Sequence, residues 1–225
     1  MSLWLLSMIA MKKIISLSGM FLAMLGLSAQ AADLRVRGSI APASCSFTIV
    51  NSTIDYGRID PRSLSATNYT KLAKKGTPYT VRCASPTFVG IKAQDNRASS
   101  KVRGMMVSQY NITYNDDFNY GLGFTSKNEK IGGYVVFMEN NIADGKAVLV
   151  ARSNNNGASW GITDPVLGQS GKVGSWRTNA SYSPIKITVV SGNLNVQPVI
   201  NKTSALSMNN EIKLDGHTTL ELVYL

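Results

Sequence analysis

The chain has 225 residues, with 23 Lys and Arg against 13 Asp and Glu, a net charge of +10 and only 16% charged residues. That length fits one domain, or two small ones, with enough chain for a real core, and the 44% apolar content excludes a disordered tail. One histidine, His217, and two cysteines exclude His-rich metal sites and the usual four-ligand zinc site, so the expectation is no enzyme, no metal and no cofactor.

The first elements in chain order are an address. Lys12-Lys13 precedes an apolar run from Ile14 to Leu27, and Ser28-Ala29-Gln30-Ala31 follows. This is the charged region, apolar region and small-residue cleavage site of a secretory signal peptide. Residues 1–31 are therefore expected to be removed after Ala31. Met11 reads as a more natural start than Met1, because residues 1–10 are unusually apolar for a charged region. Loss of the segment removes two lysines and leaves 194 residues with a charge of +8. Export to an oxidising compartment, with an even cysteine count, favours a Cys45–Cys83 disulfide.

The exported part reads as short strands. Alternating or β-branched runs recur at 34–40, 46–50, 79–83, 88–92, 105–110, 120–124, 134–138, 147–151, 185–190, 194–200 and 218–224. Clusters of Asn, Asp, Gly, Ser and Pro separate them. Strands at this spacing predict an all-β sandwich or barrel. Ser63 to Lys75 reads as a short helix or a loop. The Gly-, Ser- and Asn-rich stretch 153–182 reads as a long loop insertion within one domain, 32–225.

Two segments carry the functional signal. Leu34, Val36, Gly38 and Ile40 alternate with Asp33, Arg35, Arg37 and Ser39. Such a segment either forms the protein's own edge strand or adds to the sheet edge of another molecule, where its backbone gives affinity and its alternate side chains fill pockets. Gly38 suits a close approach of two backbones. At the other end, Leu220, Leu222, Tyr224 and Leu225 close a second alternating strand, which needs a cover along its edge.

The sequence resembles chaperone–usher fimbrial subunits. The resemblance rests on the 34–40 arm with Gly38, the cysteine pair, an Ile54-Asp55-Tyr56-Gly57 strand between the cysteines, and the penultimate Tyr224. Within that class it is most similar to the uncharacterised GltF-like family of exported fimbrial-like proteins. The segments that carry this are 38–45, 89–100, 120–123 and 214–225. The resemblance implies an immunoglobulin-like, pilin-like sandwich that lacks its final strand. It implies a periplasmic chaperone that lends one, an outer-membrane usher, and donor-strand exchange with other fimbrial subunits at the surface of a Gram-negative cell. Leu34, Val36, Gly38 and Ile40 would be donor positions. Leu220, Leu222 and Tyr224 would line the groove and chaperone edge, with Leu225 gripped through its carboxylate. The competing reading is a self-complete periplasmic or surface module that recognises a glycan or small ligand.

Other constellations are weaker. Asn115, Asp116, Asp117 and Asn119 are rich in oxygen but lack a closing Glu, so a turn is expected rather than a calcium loop. Gly121-Leu122-Gly123 and Gly132-Gly133 lack the following Lys-Ser/Thr of a phosphate loop. Lys71, Lys74 and Lys75 cluster with no adjoining aromatic platform, so no nucleic acid is expected. Trp160 and Trp176 are expected as core or loop anchors before sugar-stacking groups.

Overall fold

The computed structural model describes residues 35–37, 44–111, 113–161 and 164–225. The chain divides into two units, Met1–Ala41 and Pro42–Leu225. Residues 1–31, expected as a signal peptide, and Leu34, Gly38 and Ile40 lie outside the described residues. In the first unit residues 35–37 carry no strand or helix.

The second unit is an all-β sandwich of two antiparallel sheets. The larger sheet runs β1 (Cys45–Ile49), β3 (Lys75–Thr87), β11 (Ile187–Ile200), β6 (Gly132–Ala143) and β5 (Tyr120–Gly121). β2 (Thr70–Lys71) extends the β11 edge beyond β3, while β7 (Lys146–Ala147) and β9 (Val166–Leu167) follow β5 along β6. The smaller sheet runs β12 (Thr218–Tyr224), β4 (Val89–Asp95), β10 (Val173–Arg177) and β8 (Leu149–Ser153). Between β3 and β4 stands a single residue, Phe88, so one near-continuous run carries the chain from one sheet to the other.

The core between the sheets is built from alternate positions. Tyr79 and Val81 of β3, Val190 and Leu194 of β11, and Ile91 of β4 are buried, with polar or half-buried residues between them. Trp176 of β10 is fully buried; its Nε1–H donates to the Tyr79 hydroxyl at 3.0 Å, and that hydroxyl donates to Asn141 Oδ1. A buried indole N–H would otherwise cost its lost hydration. β6 breaks the alternation, because Gly132 to Met138 are all buried. Val135 and Phe137 face a second apolar cluster with Met105, Met106, Tyr114, Phe118, Val166 and Val199.

Three expectations change here, and one open alternative closes. Met105–Gln109 forms a short helix, α1, rather than a strand, because Met105 and Met106 are needed to cap the second cluster over β6. The runs 185–190 and 194–200 are one strand, β11, which pairs continuously along both neighbours apart from local register shifts. Of the two readings of 63–75 the loop holds, with a 3-10 turn at Pro61–Ser63 and the two-residue β2 along it. The stretch 153–182 is no single insertion: β9 and β10 lie inside it, its Gly174 and Ser175 are buried strand positions, and a Cβ at Gly174 would stand 2.7 Å from Leu167.

Cys45 and Cys83 form a disulfide between directly opposed residues of β1 and β3, 38 positions apart. The bond ties the sandwich's first strand to its centre. Replacing both cysteines with Ser is expected to cost about 4 kcal/mol by the loop-closure argument, a fall in Tm of roughly 10 °C for a chain of this size. Calorimetry of the oxidised protein and the double variant reads this directly; a shift under about 2 °C would contradict it.

Candidate functional site

The strand register decides where the sandwich is open. In an antiparallel pair, opposed residues alternate between bonded and non-bonded pairs. Ala84 N–H donates to Ser44 O at 2.9 Å and Val50 N–H to Pro78 O at 3.0 Å, so Ser46 and Thr48 direct their backbone groups at β3. Cys45, Phe47 and Ile49 then direct theirs to the opposite edge of β1. β12 repeats the arrangement. Asn96 N–H donates to His217 O at 2.9 Å and Leu225 N–H to Phe88 O at 3.1 Å. Thr219, Glu221 and Val223 therefore bond β4, and Thr218, Leu220, Leu222 and Tyr224 direct their backbone groups away from it. Among the described residues no strand pairs with either outward edge.

The same residues carry the inward side chains. Cys45, Phe47, Ile49, Leu220 and Leu222 pack against the main core cluster yet remain half-buried, whereas Val81 and Val190 on the inner strands are fully buried. Between the two lips runs a cleft of about 680 Å³. Phe47, Ile49, Val136, Leu194, Leu214 and Leu220 give it an apolar floor and walls, and Asn51, Thr77, His217 and Thr218 line it with polar groups. It is a largely apolar opening into the core, beside the outward backbone edges of β1 and β12.

Local contacts hold the lips in place. Arg97 makes a two-pronged ion pair with Asp215, at 2.8 and 3.1 Å, just before β12. Asp215 N–H donates to Leu122 O, and Asn96 Nδ2 donates to Thr219 Oγ1 at 2.8 Å. The Tyr134 ring lies so close to Gly216 that a Cβ there would stand 2.7 Å from it. The Tyr134 hydroxyl is hydrogen-bonded to Thr218 Oγ1. On the other side Tyr56 donates to Val196 O at 2.8 Å. The segment Ile54-Asp55-Tyr56-Gly57, expected as a strand, is a turn: Gly57 sits at φ 62° and its N–H donates to Asp55 Oδ1. At the opposite end of the lips the Cys45 N–H donates to the Tyr224 hydroxyl at 3.0 Å.

The predicted site residues are placed unevenly. Leu220 and Leu222 face the cleft side of β12; Tyr224 is more than half exposed at its end, and Leu225 is exposed beyond it. Of the arm positions only Val36 is described. The sequence reading missed the other lip, although Cys45, Phe47 and Ile49 alternate as visibly as Leu220 and Leu222. It also missed Tyr56, Leu214 and Tyr134, which only the tertiary fold brings to the cleft. Lys71, Lys74 and Lys75 do have aromatic partners, contrary to expectation: they lie 3.8 Å from the Tyr110 ring centroid, 4.0 Å from Phe137 and 5.0 Å from Tyr56. The lysines themselves cover these rings. Trp176 is enclosed in the core and closed to any sugar, and Trp160 is half-buried. The Asn115 cluster is a turn in which Asn115 Oδ1 accepts from Asp117 N–H at 3.0 Å.

The chain is similar to one protein family and to two bacterial proteins. Residues 34–135 match a family described as a protein of unknown function (DUF1120). The chain is distantly related to two proteins of Escherichia coli (strain K12). The uncharacterized protein YhcF is 26% identical over 235 residues, covering 90% of this chain and 95% of its own. Protein GltF is 24% identical over 225 residues, covering 86% and 88%. No solved structure gives a significant match.

Burial raises the Tyr56 and Tyr134 phenols from 10.0 to about 12. Between pH 10 and about 12 the unfolded chain releases these protons while the folded chain keeps them. Their contribution to stability is therefore complete below pH 10 and is lost as pH rises through about 12. Urea unfolding at pH 9 and pH 11 is expected to give the lower midpoint at pH 11, and Tyr56→Phe with Tyr134→Phe should reduce the difference.

Proposed function

We propose that this chain is an exported structural subunit of a fimbria-type assembly, joined to its neighbours by donor-strand complementation. The observation that carries the reading is the cleft between β1 and β12. Its two lips turn backbone groups outward at Phe47 and Ile49 and at Thr218, Leu220 and Leu222 that no strand among the described residues pairs, above an apolar floor. A β-segment that entered would satisfy both lips and complete the core.

The occupant is the 34–40 segment of a second copy. Leu34, Val36 and Ile40 share one face, and burying them would contribute roughly 5–9 kcal/mol before the cost of ordering. Gly38 lies among them where a side chain would hold the backbones apart. Before assembly, a periplasmic chaperone would fill the cleft with a strand of its own and deliver the subunit to an outer-membrane usher. The signal-like segment 1–31 and the disulfide fit a periplasmic route to the cell surface.

The test is a synthetic peptide of residues 32–42 added to the purified protein. At a hundredfold excess over Kd, binding to the folded state is worth about 2.7 kcal/mol, which raises Tm by about 5–10 °C for a chain of this size. A peptide with Val36→Asp and Ile40→Asp is expected to leave Tm unchanged. No shift with the natural peptide would favour the self-complete module that binds a glycan or small ligand.

A further inference from the structure

We infer that Tyr224 is a placeholder in the cleft: its hydroxyl occupies the Cys45 amide until an incoming strand takes that amide. This rests on the reading of the cleft as a strand-acceptor site.

The argument begins with the hydrogen bond itself. Cys45 and Tyr224 are 179 positions apart and belong to different sheets, yet Cys45 N–H donates to the Tyr224 hydroxyl at 3.0 Å. By register, the Cys45 N–H is one of the groups on β1 that an added strand would use. Tyr224 lies on the inward-facing series of β12 with Leu220 and Leu222, but its ring is not in the core: the residue is 56% exposed. A tyrosine side chain with one hydrogen bond at its tip spans about two interstrand spacings of ~4.8 Å, the gap that one missing strand leaves. The ring thus joins one lip to the other through this one hydrogen bond, a reach that fits the width of a single strand.

Two further observations separate a placeholder from an ordinary surface contact. Leu225 N–H donates to Phe88 O, so the backbone of β12 is anchored on β4 immediately beyond the tyrosine. Cys45 is anchored on β3 by the disulfide. Both lips are therefore held independently of the Tyr224 hydroxyl, which is free to leave without loss of either strand. An entering segment that pairs fully with β1 must exchange its own carbonyl for that hydroxyl. A segment that stops short leaves the bond in place. Tyr224 would in this way set how far along β1 a strand must reach before it is fully seated.

The test compares the protein with Tyr224→Phe, which keeps the ring and removes the hydroxyl. The residue is largely exposed, so the variant retains the fold. Loss of one hydrogen bond is expected to lower the Tm of the free variant slightly and to tighten its binding of peptide 32–42 by about fivefold, since the peptide no longer displaces a bond. Amide exchange at Cys45 should be slow in the free natural protein, fast in the free variant, and slow in both peptide complexes. A purely structural role for the hydroxyl would weaken stability without tightening the peptide. Peptide binding of equal affinity to both proteins would overturn the placeholder and leave the acceptor reading intact. Failure of the peptide to bind either protein would remove the acceptor reading, and the placeholder with it.

Discussion

The structure depends on a coincidence imposed by β-sheet geometry. In β1 and β12 the residues whose side chains point inward are also those whose backbone groups point away from the paired neighbour. Cys45, Phe47 and Ile49 on one strand, and Thr218, Leu220 and Leu222 on the other, obey this rule because each strand pairs along one edge only among the described residues. Absence of a strand between them therefore removes apolar cover and hydrogen-bond partners at the same positions. A side chain folded over the cleft repairs little of this: the Tyr224 hydroxyl takes the Cys45 N–H alone, whereas a strand would cover the apolar surface and pair the backbone groups along both lips.

The exposure along the cleft is local. The opposite face of the large sheet is covered by the protein's own chain, with Met105, Met106, Tyr114 and Phe118 placed over Val135 and Phe137. Elsewhere the buried polar side chains are paired, as in the chain from Trp176 through Tyr79 to Asn141, apart from Asn119 Oδ1 and Arg152 Nε among the described residues. The cleft therefore does not reflect a loosely packed molecule. Its rims are also stiffened from behind: the disulfide fixes β1, seven paired residues fix β12, and the Arg97–Asp215 pair fixes the approach to it. Rigid lips lower the ordering cost for a strand that enters, because only the newcomer loses conformational freedom.

The legible parts of the sequence were those where one face alone is buried. The alternation in 46–50 and 218–224 marks strands because their outward faces meet water. Where both faces are buried the period disappears, and the run 134–138 shows only that it is apolar; it became β6 through its neighbours on each side. Met105-Met106-Val107 carries no period that separates strand from helix, and its conformation follows from the cluster it must cap. The Gly- and Ser-rich composition around Gly174 and Ser175 suggests a loop, yet small residues there serve close packing: a Cβ on Gly174 would stand 2.7 Å from Leu167 Cδ2. For the cleft, the sequence carried the inward residues of β12, since alternation identifies them. It could not place Tyr56, Tyr134 and Leu214 beside them, because those depend on which loop lies across which strand.

The outward residues of the two lips bear on what kind of strand the cleft could accept. Ser46 and Thr48 on β1, and Thr219 and Glu221 on β12, are exposed and polar. A segment completing this surface is best matched by polar residues on its outer face and apolar residues on its inner one. The segment 33–40 has that division, with Asp33, Arg35, Arg37 and Ser39 alternating against Leu34, Val36, Gly38 and Ile40. Backbone pairing would supply binding with little regard to sequence. Discrimination must then come from the inner side chains, where the floor is apolar, and from the ends, where Tyr224 and Tyr56 place hydroxyls on backbone groups. A strand with a charge on its inner face would bring that charge onto Phe47, Leu194 and Leu220 with no partner for it, and the cost of desolvation would exceed the gain from the ladder.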